Sequence, residues 1–449
     1  MKVLILAWWI GTRFWPVSRK YYPKQFVQLQ QFDNISFFQQ TLKRALKITN
    51  NKDIFVLTNI DYKFHCINQA KEIGFSFSDE QIILEPCPKN TLWAISLWME
   101  NLADNDIALV LASDHIIWDD NKFADEVKSV ADEAAKHIVI FGIKPTSPNT
   151  WYGYIQSEKP KMDFSRVLNF KEKPDAKTAQ KYIKKSFLWN SWIFLFSKKI
   201  FSEELKKSNK KYYDLTKKWV LKNFDLLPNL SIDYWIMEKS NNIYMKRLDT
   251  YWNDLGSWDS FAEYFDFKNA DVLEIQWKNN FAVSDSTSKK IIFLWTEDLI
   301  AVDTKDSLLI SKVWHTQMVK NVVDSLSQTD KQFVEFGKTV YRPWWNYTII
   351  DEWSWFKTKR ISVLPGSKLS LQMHYHRSEH WVVVSGTATV TVWDQTKILR
   401  KGESVYIPSW TIHRLENAWK VILHIIESQI WDYLEEDDIV RFDDDFGRI

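Results

Sequence analysis

Every tight turn and close backbone approach in this 449-residue chain must be made with ten glycines, while 25 tryptophans are spread along it. Glycine normally makes up about 7% of a globular chain, roughly 31 residues at this length. It supplies the positive-φ conformations that turns need, because it lacks the Cβ that penalises them. Several tryptophans stand where that property is wanted. Trp393-Asp394 separates TVTV from QTKIL as the Gly-Asp of a hairpin would. Asn417-Ala418-Trp419-Lys420 divides two further short strands, Trp410 follows Pro408-Ser409, and Trp151 lies in Asn149-Thr150-Trp151-Tyr152-Gly153. Loss of glycine matched by excess tryptophan in turn contexts points to replacement of one by the other.

The hydrophobic content of 45% is enough for two or three domains with their own cores. VLILA (3–7), IFVLT (54–58), IALVLA (107–112) and HIVIFGI (137–143) alternate with amphipathic helical segments such as Phe123 to Lys136. This predicts an α/β domain with a mostly parallel, Rossmann-like sheet over residues 1–265, with ligands at the carboxyl ends of strands. FAVSDS, IIFLW, LIAVDT and SLLISKV follow one another closely and predict a small repetitive β-domain over 266–335. Residues 336–449 hold short alternating strands without a long helix, as in a β-sandwich or small barrel.

Lys+Arg of 59 against Asp+Glu of 57 gives no argument for a nucleic-acid partner. Cys66 and Cys87 form no CxxC pattern, which predicts a reducing, cytoplasmic setting and no cysteine-based zinc site. No apolar run approaches the roughly 18 residues of a membrane span. The start MKVLILAWWI is broken by Arg13 and lacks a small-residue cleavage site, so it is not read as a signal peptide.

Three stretches carry polar chemistry. AWWIGTRFWP (7–16) follows an apolar strand and precedes Pro23-Lys24-Gln25. With glycine at 8 and 9 it reads as a backbone anion cradle, with Arg13 and Lys24 neutralising a polyphosphate. With tryptophan there it reads as an aromatic cluster beside an ordinary turn. Asp114 ends the strand IALVLAS and Asp254 lies in WNDLGSW; one or two such carboxylates suffice for Mg²⁺ bound with phosphates, although either alone reads as a cap or turn residue. In FKEKP (170–174), strand alternation predicts Glu172 and Lys173 on opposite faces, and a solvated charge run is the plain alternative.

AWWIGTRFWPVSRKYYPKQF, SDH, TWYGYI, FKEKP, LWNSWIFLF and WNDLGSW stand in the order found in mannose-1-phosphate guanylyltransferases. YRPWWNY, LSLQMHYHRSEHWVVVSGTATV, IPSWTIHRLEN and EDDIVRFDDDFGR extend the resemblance to the bifunctional mannose-1-phosphate guanylyltransferase/mannose-6-phosphate isomerase family, nearly end to end. The resemblance implies a GT-A-like nucleotidyltransferase domain, a β-repeat linker and a C-terminal cupin barrel. Relative to the family, Lys89 replaces the usual Arg and Leu92-Trp93 the usual Ala-Pro. Positions 8, 9, 151, 192, 345, 393 and 410 are typically glycine in the family, whereas Trp15, Trp189, Trp258, Trp344 and Trp381 match family tryptophans. The remaining twenty tryptophans, counted with the ten glycines, restore the ordinary glycine content. Reading a codon for glycine as tryptophan, where UGA has been reassigned, would produce this pattern.

The resemblance further implies that Trp8, Trp9, Gly11, Thr12, Arg13 and Lys24 face GTP. Asp114 and Asp254 would hold Mg²⁺, Glu172, Asn190 and Gly153 would line the sugar pocket, and Lys173 would hold the phosphate of mannose 1-phosphate. Catalysis would rest on Arg13, Lys24 and Lys173. In the cupin, Gln372, His374, Glu379 and His413 fall in motif register and would bind Zn²⁺ or another divalent metal. His376 shares the strand face of His374 and is a candidate ligand or base, while His380 points away. Arg414 and Arg377 are the candidate cations for the phosphate of mannose 6-phosphate, with Arg414 counted as catalytic. The alternatives are a guanylyltransferase with a structural cupin, or an inactive regulatory module if the tryptophans are genuine. A homo-oligomer is left open.

Overall fold

A computed structural model describes the chain except residues 217–219, 267–271, 276–278, 286–288, 432, 434, 435 and 444–449. Nine strands form the first sheet: β1 (Lys2–Leu6), β2 (Ile54–Thr58), β3 (Ile82–Leu84), β4 (Ile107–Ala112), β5 (Ile138–Ile143), β6 (Tyr154–Ser157), β7 (Phe164–Lys171), β8 (Leu188–Ser197) and β9 (Ile243–Arg247). Their order is β3-β2-β1-β4-β8-β5-β9-β7-β6. Alternation sends Val3 and Ile5 of β1 to one face and Leu4 and Leu6 to the other, each into its own core cluster.

From β3 to β4 all pairings are parallel. Beyond that point the sheet is mixed rather than mostly parallel, although β9 still pairs parallel with β5. β8 runs antiparallel to both β4 and β5, and β7 pairs antiparallel with β6 and β9. β8 is buried along almost its whole length, and a continuous buried run carries no signal of strand direction. The helix expected from Phe123 to Lys136 is also shorter. Asp119 accepts the Lys122 N–H to start it, it spans Asp120–Ser129, and a separate 3₁₀ turn follows at Glu133–Ala135. The chain bends there to bury Val130 and Ala134.

The middle segment pairs Val272–Ile275 with Ile291–Leu294 and Phe281–Ser284 with Leu299–Asp303, both parallel, as a repetitive β-unit should. It shares one core with the loop that follows β1 and with Trp258. Phe14, Trp15 and Trp258 pack with Phe281, Ile300, Val302, Val319 and Val323. The C-terminal part is two six-stranded antiparallel sheets around Ile361, Trp381, Val383, Leu415, Leu423 and Ile425. It is docked on the first domain by the stacked rings of Tyr22 and Tyr341, 4.2 Å apart, while the end of the middle segment is tied there by the Lys20–Glu335 ion pair. Among the described residues no helix is long and apolar enough to cross a membrane.

The tryptophans differ in how their indole N–H is met, and Trp93 and Trp118, which do not match the family, also find acceptors, in the Pro228 carbonyl and the Tyr264 hydroxyl. Trp15, Trp258, Trp344 and Trp381, which match the family, each donate Nε1–H to a protein acceptor. Trp8, Trp98, Trp235, Trp252 and Trp345, which do not, bury an Nε1–H with no partner, as does the family-type Trp189. Among the described residues, Trp192, Trp295, Trp314, Trp393 and Trp410 have φ between 52° and 68°. That region costs a residue with a Cβ about 1–2 kcal/mol. Trp393 sits in the expected two-residue turn between Thr387–Val392 and Gln395–Arg400.

Candidate active sites

The first site gathers at the carboxyl ends of β1 and β4. Gly11 has φ 66°, and a Cβ there would lie 2.6 Å from Lys24 Cβ. This glycine lets the loop close over Lys24. Lys24 is buried, and its ammonium donates to Asp114 Oδ2 at 3.0 Å and to the Asp254 carbonyl at 2.5 Å. Burial alone would raise the Asp114 carboxyl, but Lys24 and then His115 draw it below its ordinary value. Tyr152 donates its hydroxyl to Asp254 Oδ1 at 2.7 Å. The fold therefore brings Asp114, Asp254 and Lys24 together. Asp114 offers one carboxylate beside Lys24 and Asp254 a second beside Tyr152, and Mg²⁺ bound with phosphate oxygens takes one or two protein carboxylates.

Arg13 is held differently. Its Nη1 donates to Gln317 Oε1 at 2.6 Å, and its guanidinium lies 4.7 Å over the Trp151 ring. Thr12 opens the 3₁₀ turn Thr12–Phe14 beside it. Trp8 and Trp9 pack against each other with centroids 4.4 Å apart, occupying the segment that a phosphate loop needs open. The Trp192 ring lies 6.0 Å from the His115 ring, 5.8 Å from Tyr152 and 5.5 Å from Lys173 Nζ. Indoles thus stand at four positions where the chemistry wants backbone alone.

Next to Trp192 is a polar pocket. A Cβ on Gly153 would fall 2.4 Å from Glu172 Oε2 and 3.3 Å from Asn190 Cβ, so only glycine fits there. Asn190 N–H donates to the Gly153 carbonyl at 2.8 Å. Glu172 and Lys173 are not on opposite faces: Lys173 Nζ donates to Glu172 Oε1 at 2.5 Å. β7 ends at Lys171, and Lys173 takes φ 46°, which turns its side chain back to its neighbour. Sequence reasoning missed Asp233, which is buried and accepts from Asn190 Nδ2 at 3.0 Å. Burial and then the nearby Glu172 hold its carboxyl well above the ordinary range. An acid inside the apolar run SIDYWIM was the available signal.

The second site lies in the cupin. His374, Glu379 and His413 are all buried, with ligand atoms within 4.8 Å of one another. His374 Nε2 is 3.0 Å and His413 Nε2 3.5 Å from the Glu379 carboxylate. His413 Nδ1 bonds the Thr411 carbonyl at 2.8 Å, which leaves Nε2 as the lone-pair nitrogen facing the centre, without a hydrogen-bond partner. Gln372 adds its side-chain amide, Nε2 being 3.4 Å from His374 Nε2. Burial would raise Glu379, but the two flanking histidines hold it well below its ordinary value. This buried set of nitrogen and oxygen donors fits a divalent metal.

Two residues stand elsewhere than expected. The strand Leu371–His374 stops before His376, which swings out to Asp438 at 2.8 Å instead of sharing the His374 face. Arg414 alternates away from His413 and pairs with Asp443 at 2.5 Å, outside the chamber beside the metal-ligand set. Arg377 does line that chamber, with Nε 3.4 Å from Glu379 Oε1. Glu427, missed in the sequence, is buried there and accepts from Trp381 Nε1. Burial and the neighbouring Glu379 push its carboxyl up to about 8.

Residues 2–270 match the nucleotidyl transferase family and residues 329–444 the mannose-6-phosphate isomerase C-terminal family. The chain is 38% identical to the xanthan biosynthesis protein XanB of Xanthomonas campestris pv. campestris (strain B100), over 99% of this chain and 98% of that protein. It is 38% identical to a mannose-1-phosphate guanylyltransferase of Salmonella montevideo, over 99% of each chain. A crystal structure titled as a mannose-1-phosphate geranyltransferase from Thermus thermophilus superposes with a TM-score of 0.62 at 24% identity, covering 73% of this chain and 99% of that one, and shares the fold.

Proposed function

This chain belongs to the family of mannose-1-phosphate guanylyltransferases with a C-terminal mannose-6-phosphate isomerase domain, and on that premise we propose how its residues divide two reactions. In the first, a phosphate oxygen of mannose 1-phosphate attacks the α-phosphorus of GTP; GDP-mannose forms and pyrophosphate leaves. Lys24 and Arg13 neutralise the triphosphate. Asp114 and Asp254 would hold Mg²⁺, which neutralises phosphate oxygens when bound. Gly153, Glu172 and Asn190 orient the sugar, and Lys173 meets its phosphate. The work is in-line positioning and charge neutralisation. The observation that carries this reading is the buried Lys24 bridging Asp114 and the Asp254 backbone at the mouth of the loop.

In the second reaction mannose 6-phosphate and fructose 6-phosphate are interconverted. Gln372, His374, Glu379 and His413 would hold Zn²⁺ or another divalent ion, which polarises the C1/C2 oxygens when bound. The product feeds GDP-mannose and polysaccharide synthesis in the cytoplasm. The division into 1–265, 266–335 and 336–449 is retained as the proposed domain plan.

The packed indoles of Trp8, Trp9 and Trp192 favour a second reading of the literal chain, as an inactive nucleotidyltransferase-like module. Titrating GTP into the recombinant chain and into W8G/W9G decides between them. Binding restored by glycine supports an active enzyme whose loop carries glycine; equal binding by both proteins would refute this account of the loop.

A further inference from the structure

The middle segment reaches into the first site. Arg13 Nη1 donates to Gln317 Oε1 at 2.6 Å, a contact between residues 304 apart in sequence. Only the amide oxygen of Gln317 can face a guanidinium, whose N–H groups are all donors. The contact occupies one terminal nitrogen and leaves the Nε–Nη2 edge, the fork that suits a pair of phosphate oxygens. Trp151, itself 44% exposed, covers a face of the same guanidinium; Gln317 meets its rim. The partner is also neutral. A carboxylate there would cancel the charge that a polyphosphate needs, whereas an amide oxygen fixes the group and leaves its charge in place.

Gln317 is itself held from the side of the Asp254 loop. It lies in the 3₁₀ turn Thr316–Met318. Buried Asp259 grips that turn: Thr316 Oγ1 donates to Oδ2 at 2.6 Å, Thr316 N–H to Oδ2 at 3.2 Å, and Trp314 N–H to Oδ1 at 2.7 Å. Asp259 N–H returns a bond to Thr316 Oγ1 at 3.0 Å. Asp259 stands in the first turn of the helix Trp258–Tyr264, which follows the Asp254 loop directly. The helix Val319–Thr329 continues from the turn and places Val319 and Val323 in one core with Phe14 and Trp15. The backbone beside Arg13 is fixed by other contacts. Phe14 stacks on Trp258 with centroids 4.2 Å apart, and Trp258 Nε1 donates to the Trp15 carbonyl at 2.9 Å. What Gln317 adds is the direction of the guanidinium. Arginine is rich in rotamers, and holding one of them before the ligand arrives lowers the ordering cost of binding.

We propose that Gln317 is a positioning residue for the guanylyltransferase reaction, aiming Arg13 at the GTP phosphates, and that the middle segment is thereby part of the first site. This rests on the guanylyltransferase reading above. The test uses the full chain with Mg²⁺ in the W8G/W9G form, and adds to it Q317L, Q317E, R13A, or Q317L with R13A. Calorimetry reads GTP binding, pyrophosphate release gives kcat and KM for each substrate, and denaturant gives the unfolding midpoint. In Q317L, GTP binds roughly tenfold or more weakly, the scale of a hydrogen bond to a charged group. KM for GTP rises to match, while KM for mannose 1-phosphate and the unfolding midpoint stay as in W8G/W9G. Q317E returns an oxygen to Nη1 yet does not recover GTP binding, because it neutralises the charge; a purely structural role would be rescued by it. With R13A already present, Q317L has no further effect. GTP binding unchanged in Q317L, recovered in Q317E, or weakened further by Q317L after Arg13 is removed would overturn the proposal. GTP binding that depends on Gln317 through Arg13, without any GDP-mannose formed, upholds the positioning and rejects the transferase reading. No GTP binding by W8G/W9G overturns both.

Discussion

Lys24 Nζ lies 3.0 Å from Asp114 Oδ2, with the lysine side chain almost wholly enclosed. Breaking a buried pair by removing one partner leaves an uncompensated charge and typically costs about 3–5 kcal/mol. Asp114 retains some solvent contact, so the lower end applies. Lys24→Met is expected to destabilise the chain by about 3 kcal/mol and to abolish guanylyltransferase activity. Denaturant unfolding and a pyrophosphate-release assay check both effects. A variant that keeps full stability would show the pair to be a surface contact.

Trp393 and Trp410 are more than half exposed and hold φ of 56° and 65°. Changing each to glycine is expected to stabilise the chain by about 1–2 kcal/mol through the backbone. Trp258, fully buried with its Nε1–H on the Trp15 carbonyl, is the control: Trp258→Ala should cost about 3–5 kcal/mol. Opposite signs in the two sets, read as shifts in denaturation midpoint, are the outcome to look for.

His65 is enclosed by Tyr22, Phe26 and Tyr341 and donates Nε2–H to the Tyr21 carbonyl at 2.9 Å. Burial lowers its imidazole from 6.5 to about 4. Between those values the unfolded chain binds the extra proton, so stability rises with pH in that window. The contribution is present above pH 6.5 and lost progressively as pH falls toward 4, to the extent of roughly 3 kcal/mol. His65→Gln keeps the donor without the titration. The difference in unfolding free energy between the two proteins should follow this window; a difference independent of pH would show that His65 titrates normally.

Glu379 touches both cupin histidines. Glu379→Gln is expected to lower bound metal and isomerase activity at least tenfold, because it removes the one charged oxygen donor of the set; loss of a group that only supports a ligand already costs about 10–100-fold. Guanylyltransferase activity should stay as in the parent, because the two sites lie in separate sheets. Elemental analysis beside paired assays reads this out.

The strands of the first domain were legible because each is a short apolar run bounded by polar turns. The hairpin at Trp393 was legible from its flanking alternation. Strand direction was not, since β8 is buried throughout. The convergence of Asp114 and Asp254 on Lys24 was legible in kind from strand-end placement. Lys173 folding back onto Glu172 was not, because it depends on a left-handed residue just past a strand end. Glu427 was missed because nothing local marks it and it meets its site only through strand register and tertiary packing; Asp233 carried one local mark, an acid inside an apolar run, which does not say which site it joins. Arg414 was misplaced for want of one step of alternation from His413.

In the loop Ala7–Pro16, Trp8 and Trp9 pack on each other where the proposed phosphate cradle needs backbone alone. Trypsin releases Val3–Arg13 as one peptide, bounded by Lys2 and Arg13. Tandem mass spectrometry of that peptide from the protein made in its own cells reads residues 8 and 9 directly. Glycine at both is the predicted result. Tryptophan at both would contradict it.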